Sequence, residues 1–209
     1  MTQLQQQDKS INNLYVRLIM EWLSQQVTTD SFMWLSRKMK RLSIEPTEKL
    51  FFLIFNTSPA KIGRKDLLLE EKDLTIAKKY HPHWHPEKWT ASEAARIALM
   101  LSMSELSNEY IHCVEKIFND GKEDKLIALY KGLSLFSDPK IHLPFATHAI
   151  QFNNKNIIEA LIHNNAFPYE YFNDKDWNKL IIHSVSIGCS LKPVIGFKER
   201  SNNNLSQSL

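Results

Sequence analysis

The 209 residues are enough for one domain, and 43% hydrophobic and 23% charged residues with a net charge of +3 describe a soluble globular chain. A chain this long buries about 70% of the surface its unfolded form exposes, so its core needs no disulfide or structural metal. The charge is too mild to imply a nucleic-acid partner. The two distant cysteines, Cys113 and Cys189, read as buried thiols. The polar start MTQLQQQDKS and the short apolar run LFFLIF at 50–55 leave no secretory or membrane-spanning segment, so a cytoplasmic protein with at most peripheral membrane contact is expected.

Five glycines, five valines and recurrent spacings of three and four residues indicate helices throughout. Residues 1–9 read as a flexible N-terminus. Ile11, Leu14, Tyr15, Leu18, Ile19, Trp22 and Leu23 then form one apolar stripe, with Ser10 as cap. A second helix starts at Thr29-Asp30-Ser31. Glu45-Pro46 breaks the chain, and Thr47 caps a third helix through Phe55. That helix is apolar on nearly all faces and is expected to lie centrally. Residues 56–69, with Pro59 and Gly63, read as a loop, followed by a short helix at 70–80.

The stretch HPHWHPEKWT, 81–90, is next. Thr90-Ala-Ser-Glu93 matches a capping box and should open a helix through Met103. Further helices are expected at 107–118, 122–136 and 139–152. Asn153 should cap 154–164, Asn173 should cap 174–187 with Gly188 closing it, and a last short helix should span 190–196. The expected fold is all-α, a single domain over 10–200 of about ten helices in an irregular α-α superhelix of HEAT or armadillo type. A polar tail covers 201–209.

Alternate placement of His81, His83 and His85 would let three imidazoles face one metal ion if the segment were extended. Pro82, Trp84, Pro86 and Trp89 favour a stiff loop whose indoles plug into the helical body, and this is the preferred reading. His112 and Cys113 diverge on a helix, and His142 and His148 lack an i, i+4 spacing; His163 and His183 stand alone. Glu170, Asp174 and Asp176 suit a helix N-terminus better than acid–base work. Arg96, one turn into AARIALML, needs partners for its charge, either as a structural clamp or as a ligand contact. The basic residues gather in RKMKR (37–41) and KIGRK (61–65).

FFLIFNTSPAKIG, HWHPEKWTASEAARIALML, LIALYKGLSLFSDP and FPYEYFNDKDWNKLIIHSVSIGCSLKPVIGFKERSN together resemble the motifs of the EboA-domain family, from about residue 11 to the end. Trp89, Arg96, Trp177 and Asn178 fall on matching positions. Departures are Lys179-Leu180 for a Gln-Met pair, His183 for a lysine, and His83-Trp84 for a Gly-Trp pair. Relatives run on through another helix past Arg200 and Asn202.

The resemblance implies an all-helical bacterial protein, encoded beside a prenyltransferase and TIM-barrel enzymes, that supports secondary-metabolite traffic. Those enzymes or a small hydrophobic metabolite are the implied partners; no catalytic residue, metal or cofactor carries over. The leading expectation is a non-catalytic scaffold or carrier. Trp84, Trp89, Tyr169, Tyr171 and Trp177 would supply an aromatic groove lining, and Arg96 and Asn178 would orient a polar group. The alternatives are a metal-dependent enzyme using His81, His83 and His85, and a weakly basic nucleic-acid-binding solenoid using 37–41 and 61–65.

Overall fold

Side-chain oxygens of Thr28, Thr47, Asn154 and Asn173 each accept an amide of a helix's first turn, and these caps set much of the chain's segmentation. The structure, a computed structural model, describes the backbone of residues 3–106 and 109–200 and the side chains of 14–104 and 109–200. It contains α1 (Gln3–Gln26), α2 (Thr29–Ile44), α3 (Glu48–Ile62), α4 (Glu71–Tyr80), α5 (Ala91–Leu106) and α6 (Tyr110–Asp120). These are followed by α7 (Glu123–Gly132), α8 (Pro139–His148), α9 (Lys155–Ile162), α10 (Phe167–Tyr171) and α11 (Asp174–Ser186). Among the described residues there is no strand. Two isolated bridges, Asp66 with Thr90 and His163 with Val194, tie loops together. The fold is all-α, and no described helix is long and apolar enough to cross a membrane.

The central helix is α5, not α3 as its apolar sequence suggested. Residues Ala94 to Leu101 of α5 are all buried, and α1, α2, α3, α6 and α7 pack against it. Its alanines permit this, because small side chains let neighbouring helices approach from several directions. By contrast, α3 leaves Leu53 49% exposed, and its buried residues Phe51, Ile54, Phe55 and Ser58 face α5 and α2. On the other side of α5, Gly132 ends α7 in close contact with Ile97. A Cβ there would lie 2.7 Å from the Phe136 ring and 3.2 Å from Ile97, so this crossing excludes a side chain.

The remaining differences from the sequence reading have local causes. Instead of stopping at Phe55, α3 continues through Pro59 to Ile62, and its cap is Gly63. Helices expected to reach 136 and 152 tighten into 3₁₀ turns at Leu133–Leu135 and Ala149–Gln151. Asn154, not Asn153, caps α9. The five-residue α10 was not expected. Residues 190–196 form turns rather than a helix, with Val194 bridged to His163 and Gly196 at φ +73°. The expected helix start at 107–108 and the tail 201–209 lie outside the described residues.

Candidate functional site

The opening of α5 is held from three directions. The Thr90 amide donates to Glu93 Oε2 at 2.8 Å, and the Glu93 amide donates to Thr90 Oγ1 at 3.3 Å, completing the expected capping box. The Leu67 amide reaches Trp89 O and the Ala91 amide reaches Lys65 O, which fastens the preceding loop beside it. Lys131 of α7 donates 2.8 Å bonds to both Glu93 Oε2 and Lys88 O.

Arg96 sits one turn further along α5 and is 2% exposed. Its Nε donates to Phe55 O at 2.9 Å; its Nη1 donates to Asp124 O at 2.9 Å and Asp124 Oδ2 at 3.0 Å. The Phe55 carbonyl needs this partner because residue 59, which would donate to it in a regular helix, is proline. Arg96 therefore supplies the hydrogen bond that Pro59 withholds, and its guanidinium also lies 4.7 Å from the Phe55 ring centroid. Burial pulls the Arg96 pKa down and Asp124 opposes that pull. Arg64 approaches the same Asp124 carboxylate at 3.8 Å.

This node lies in an open trough made of three adjoining concavities of about 310, 620 and 580 Å³. The first and second share Glu93 and Ile127; the second and third share Arg64, Arg96, Lys122 and Asp124. At one end the trough reaches His85, Trp89 and His163. Its walls alternate cations with carboxylates, and the paired groups Arg96–Asp124 and Glu93–Lys131 are already engaged with each other.

Of the seven residues expected to form a groove, the trough uses Trp89 and Arg96. Trp84 is 1% exposed and is wedged against Tyr15 and Trp22 of α1, with ring centroids 5.1 and 5.2 Å away. Its indole N–H has no partner among the described residues. Trp177 is equally buried beneath the Arg200 guanidinium at 4.8 Å. Tyr169 meets His83 edge-on at 6.2 Å, Tyr171 packs on Phe167 and is 38% exposed, and Asn178 is half-buried on α11. Burial, then the neighbouring Glu170, raises the Tyr171 phenol.

The three loop histidines go separate ways. His85 Nδ1 lies 3.2 Å from Glu87, His83 lies against Tyr169, and His81 is half-buried with burial lowering its pKa. Burial pushes the Glu87 carboxyl up, but its bonds to His85 and to backbone outweigh this and leave it below its ordinary value. Among the described residues no group of three His, Cys, Asp or Glu side chains is placed to hold a metal ion. The loop's turns, with Trp84 N donating to His81 O and Trp89 N to Pro86 O, keep His81, His83 and His85 off a common face.

Arg200, part of the family motif, is a second clamp. Its Nη1 donates to Pro168 O, Tyr169 O and Phe172 O, and its Nη2 reaches Asp174 at 2.7 Å. It caps the carbonyl end of α10, adding to the bond that Pro168 O already accepts from the Phe172 amide. The signal for Arg96 was equally present: a proline four residues after Phe55 in a continuing helix leaves one carbonyl free.

Comparison with curated proteins and with solved structures returned no match. The sequence model of one family, described as "Metabolite traffic protein EboA", matches residues 15–209, and on that match the chain belongs to the EboA family.

Proposed function

We propose that this chain serves metabolite traffic as a non-catalytic helical scaffold. In this reading its trough docks a protein partner encoded beside it, of the prenyltransferase or TIM-barrel kind that the family resemblance suggests. The observation that supports this best is the state of the trough itself. Arg96 and Asp124 are spent on holding α3, α5 and α7 together, and around them Arg64, Lys122, Glu123 and Glu93 present interleaved charge on a rigid open surface. Such a pattern selects a partner by electrostatic complementarity.

The titratable groups fit the non-catalytic half of the reading. Efficient proton transfer wants a pKa near the working pH. Burial drives the Cys113 thiol to about 12 and the His142 imidazole to about 4, and it lifts Tyr110 well above its ordinary value. His112, next to Cys113, faces Glu48 and Glu115 instead.

The test is to immobilise the purified chain and pass the neighbouring gene products over it. Binding that falls about tenfold in an Arg64→Glu, Lys122→Glu variant is expected, because rim charges steer and orient association. Indifference to every such partner, or binding unchanged by the reversal, overturns the proposal. Recovery of a stoichiometric apolar metabolite on denaturing the protein would instead make it a carrier.

A further inference from the structure

The two basic stretches, twenty residues apart in sequence, meet in space. Arg37, Lys38 and Arg41 of α2 line one concavity of about 580 Å³ together with Lys61 from the last turn of α3; Trp34 forms a wall, and Asp30 is the single acid. These five charged groups carry a formal +3, equal to the net charge of the whole chain, so the other charges of the protein balance. Arg41 pairs with Glu45 at 3.4 Å, a contact with both side chains more than half exposed and therefore weak. Arg37, Lys38 and Lys61 have no ion-pair partner among the described residues.

The geometry is fixed from below. The Ser31 hydroxyl donates to the Lys61 carbonyl at 2.6 Å, and Thr28 Oγ1 donates to Ser31 Oγ at 2.9 Å, locking the first turn of α2 to the last turn of α3. Asp30 and the weak Arg41–Glu45 pair offset only part of the cations' charge, so the concavity holds a surplus of positive charge that an entering anion would offset. Trp34 is the one tryptophan of five that is not buried; Trp22, Trp84, Trp89 and Trp177 are each at most 3% exposed.

We propose that this groove is a binding site for a phosphate or diphosphate group, with Arg37, Lys38, Arg41 and Lys61 holding the anion. The Trp34 indole would pack against the apolar or aromatic part of the molecule that carries it. The concave placement of the cations fits a discrete anionic group better than a flat surface. The groove shares no lining residue with the trough, so this site stands or falls separately from the docking proposal.

Inorganic pyrophosphate is the probe, titrated at low ionic strength while acrylamide quenching of tryptophan emission is followed. Because the other four indoles are buried, a change in quenching reports Trp34. Saturable protection is expected, weakened about tenfold or more in Arg37→Glu, Lys61→Glu and unchanged in Arg64→Gln. Both reversed residues are exposed, and circular dichroism confirms that the variant is folded. Trp34→Phe should abolish the optical signal while calorimetry still records binding.

Vesicles of phosphatidylglycerol in phosphatidylcholine form a second arm. Vesicle binding lost in the double reversal assigns the phosphate to a lipid headgroup; no vesicle binding beside firm pyrophosphate binding assigns it to a soluble molecule. No saturable pyrophosphate effect, an effect indifferent to the reversal, or binding of duplex DNA without pyrophosphate binding overturns the site.

Discussion

Two arginines close two different parts of this molecule, and they do so on different terms. Arg96 is inside, 2% exposed, and joins three helices through the Phe55 and Asp124 carbonyls and the Asp124 carboxylate. Arg200 lies nearer the surface. It holds three carbonyls at the end of α10 and an Asp174 side chain that is 83% exposed. Both lie over an aromatic ring at nearly the same distance, 4.7 and 4.8 Å. The lesson is that the number of bonds does not rank these sites. What matters is whether water can replace the guanidinium when it is gone, and water reaches the Arg200 site far more easily.

The largest effect should follow from Arg96→Leu. That change leaves the buried Phe55 carbonyl without a donor and takes from Asp124 its nearer cation, with Arg64 still 3.8 Å away, and should cost about 2–4 kcal/mol in denaturant unfolding. Arg96→Lys keeps the charge but not the fork, and should recover only part of the loss. A cost for the leucine variant no larger than the about 1–2 kcal/mol expected on truncating Arg200 would erase the distinction between the two arginines.

Acid sharpens the comparison from another side, because it acts through His142, which does not stay neutral. Its imidazole is fully buried between Tyr110 and Phe136, and burial lowers its pKa from 6.5 to about 4. The unfolded chain therefore takes up a proton first as pH falls. The stability linked to His142 is complete above about pH 6.5 and is lost progressively down to about pH 4, up to about 3 kcal/mol. His142→Leu should unfold with a shallower pH dependence across that window.

Around Arg200 smaller effects are expected. Gly196 has φ +73°, and the Tyr169 ring lies where its Cβ would be. Gly196→Ala should cost about 2 kcal/mol and loosen the 190–200 segment, read as faster amide exchange there than in α5. Arg200→Ala should cost about 1–2 kcal/mol and show the same local signature. Global acceleration of exchange, reaching α5, would mean that the two sites are one cooperative unit.

What could be read from the sequence follows the same division between local and non-local chemistry. The Thr90–Glu93 capping box and the Asn173 cap are local patterns and stand as expected, and Tyr15, Leu18, Ile19, Trp22 and Leu23 of the first stripe are buried; Ser10 is not its cap, because α1 begins at Gln3. Pro59 misled because it looks like a helix end; the helix passes through it, and Arg96, thirty-seven residues later, supplies the missing bond. The aromatic residues were the hardest to place. The loop indoles Trp84 and Trp89 enter the core as the proline-rich loop suggested, but that burial, with Trp177 of α11 equally buried, removes Trp84 and Trp177 from the groove lining they were also expected to supply. The meeting of Lys61 with Arg37 and Arg41 was not legible either, since it depends on how α2 and α3 pack.

The most direct test of the claim that Arg96 serves the fold, by replacing the hydrogen bond that Pro59 lacks, is a double-mutant cycle between Arg96→Leu and Pro59→Ala measured by urea unfolding. Alanine restores an amide donor to Phe55 O, so the leucine substitution should cost about 1 kcal/mol less in that background. Strict additivity, within about 0.3 kcal/mol, would contradict the interlock and return Arg96 to the surface chemistry of the trough.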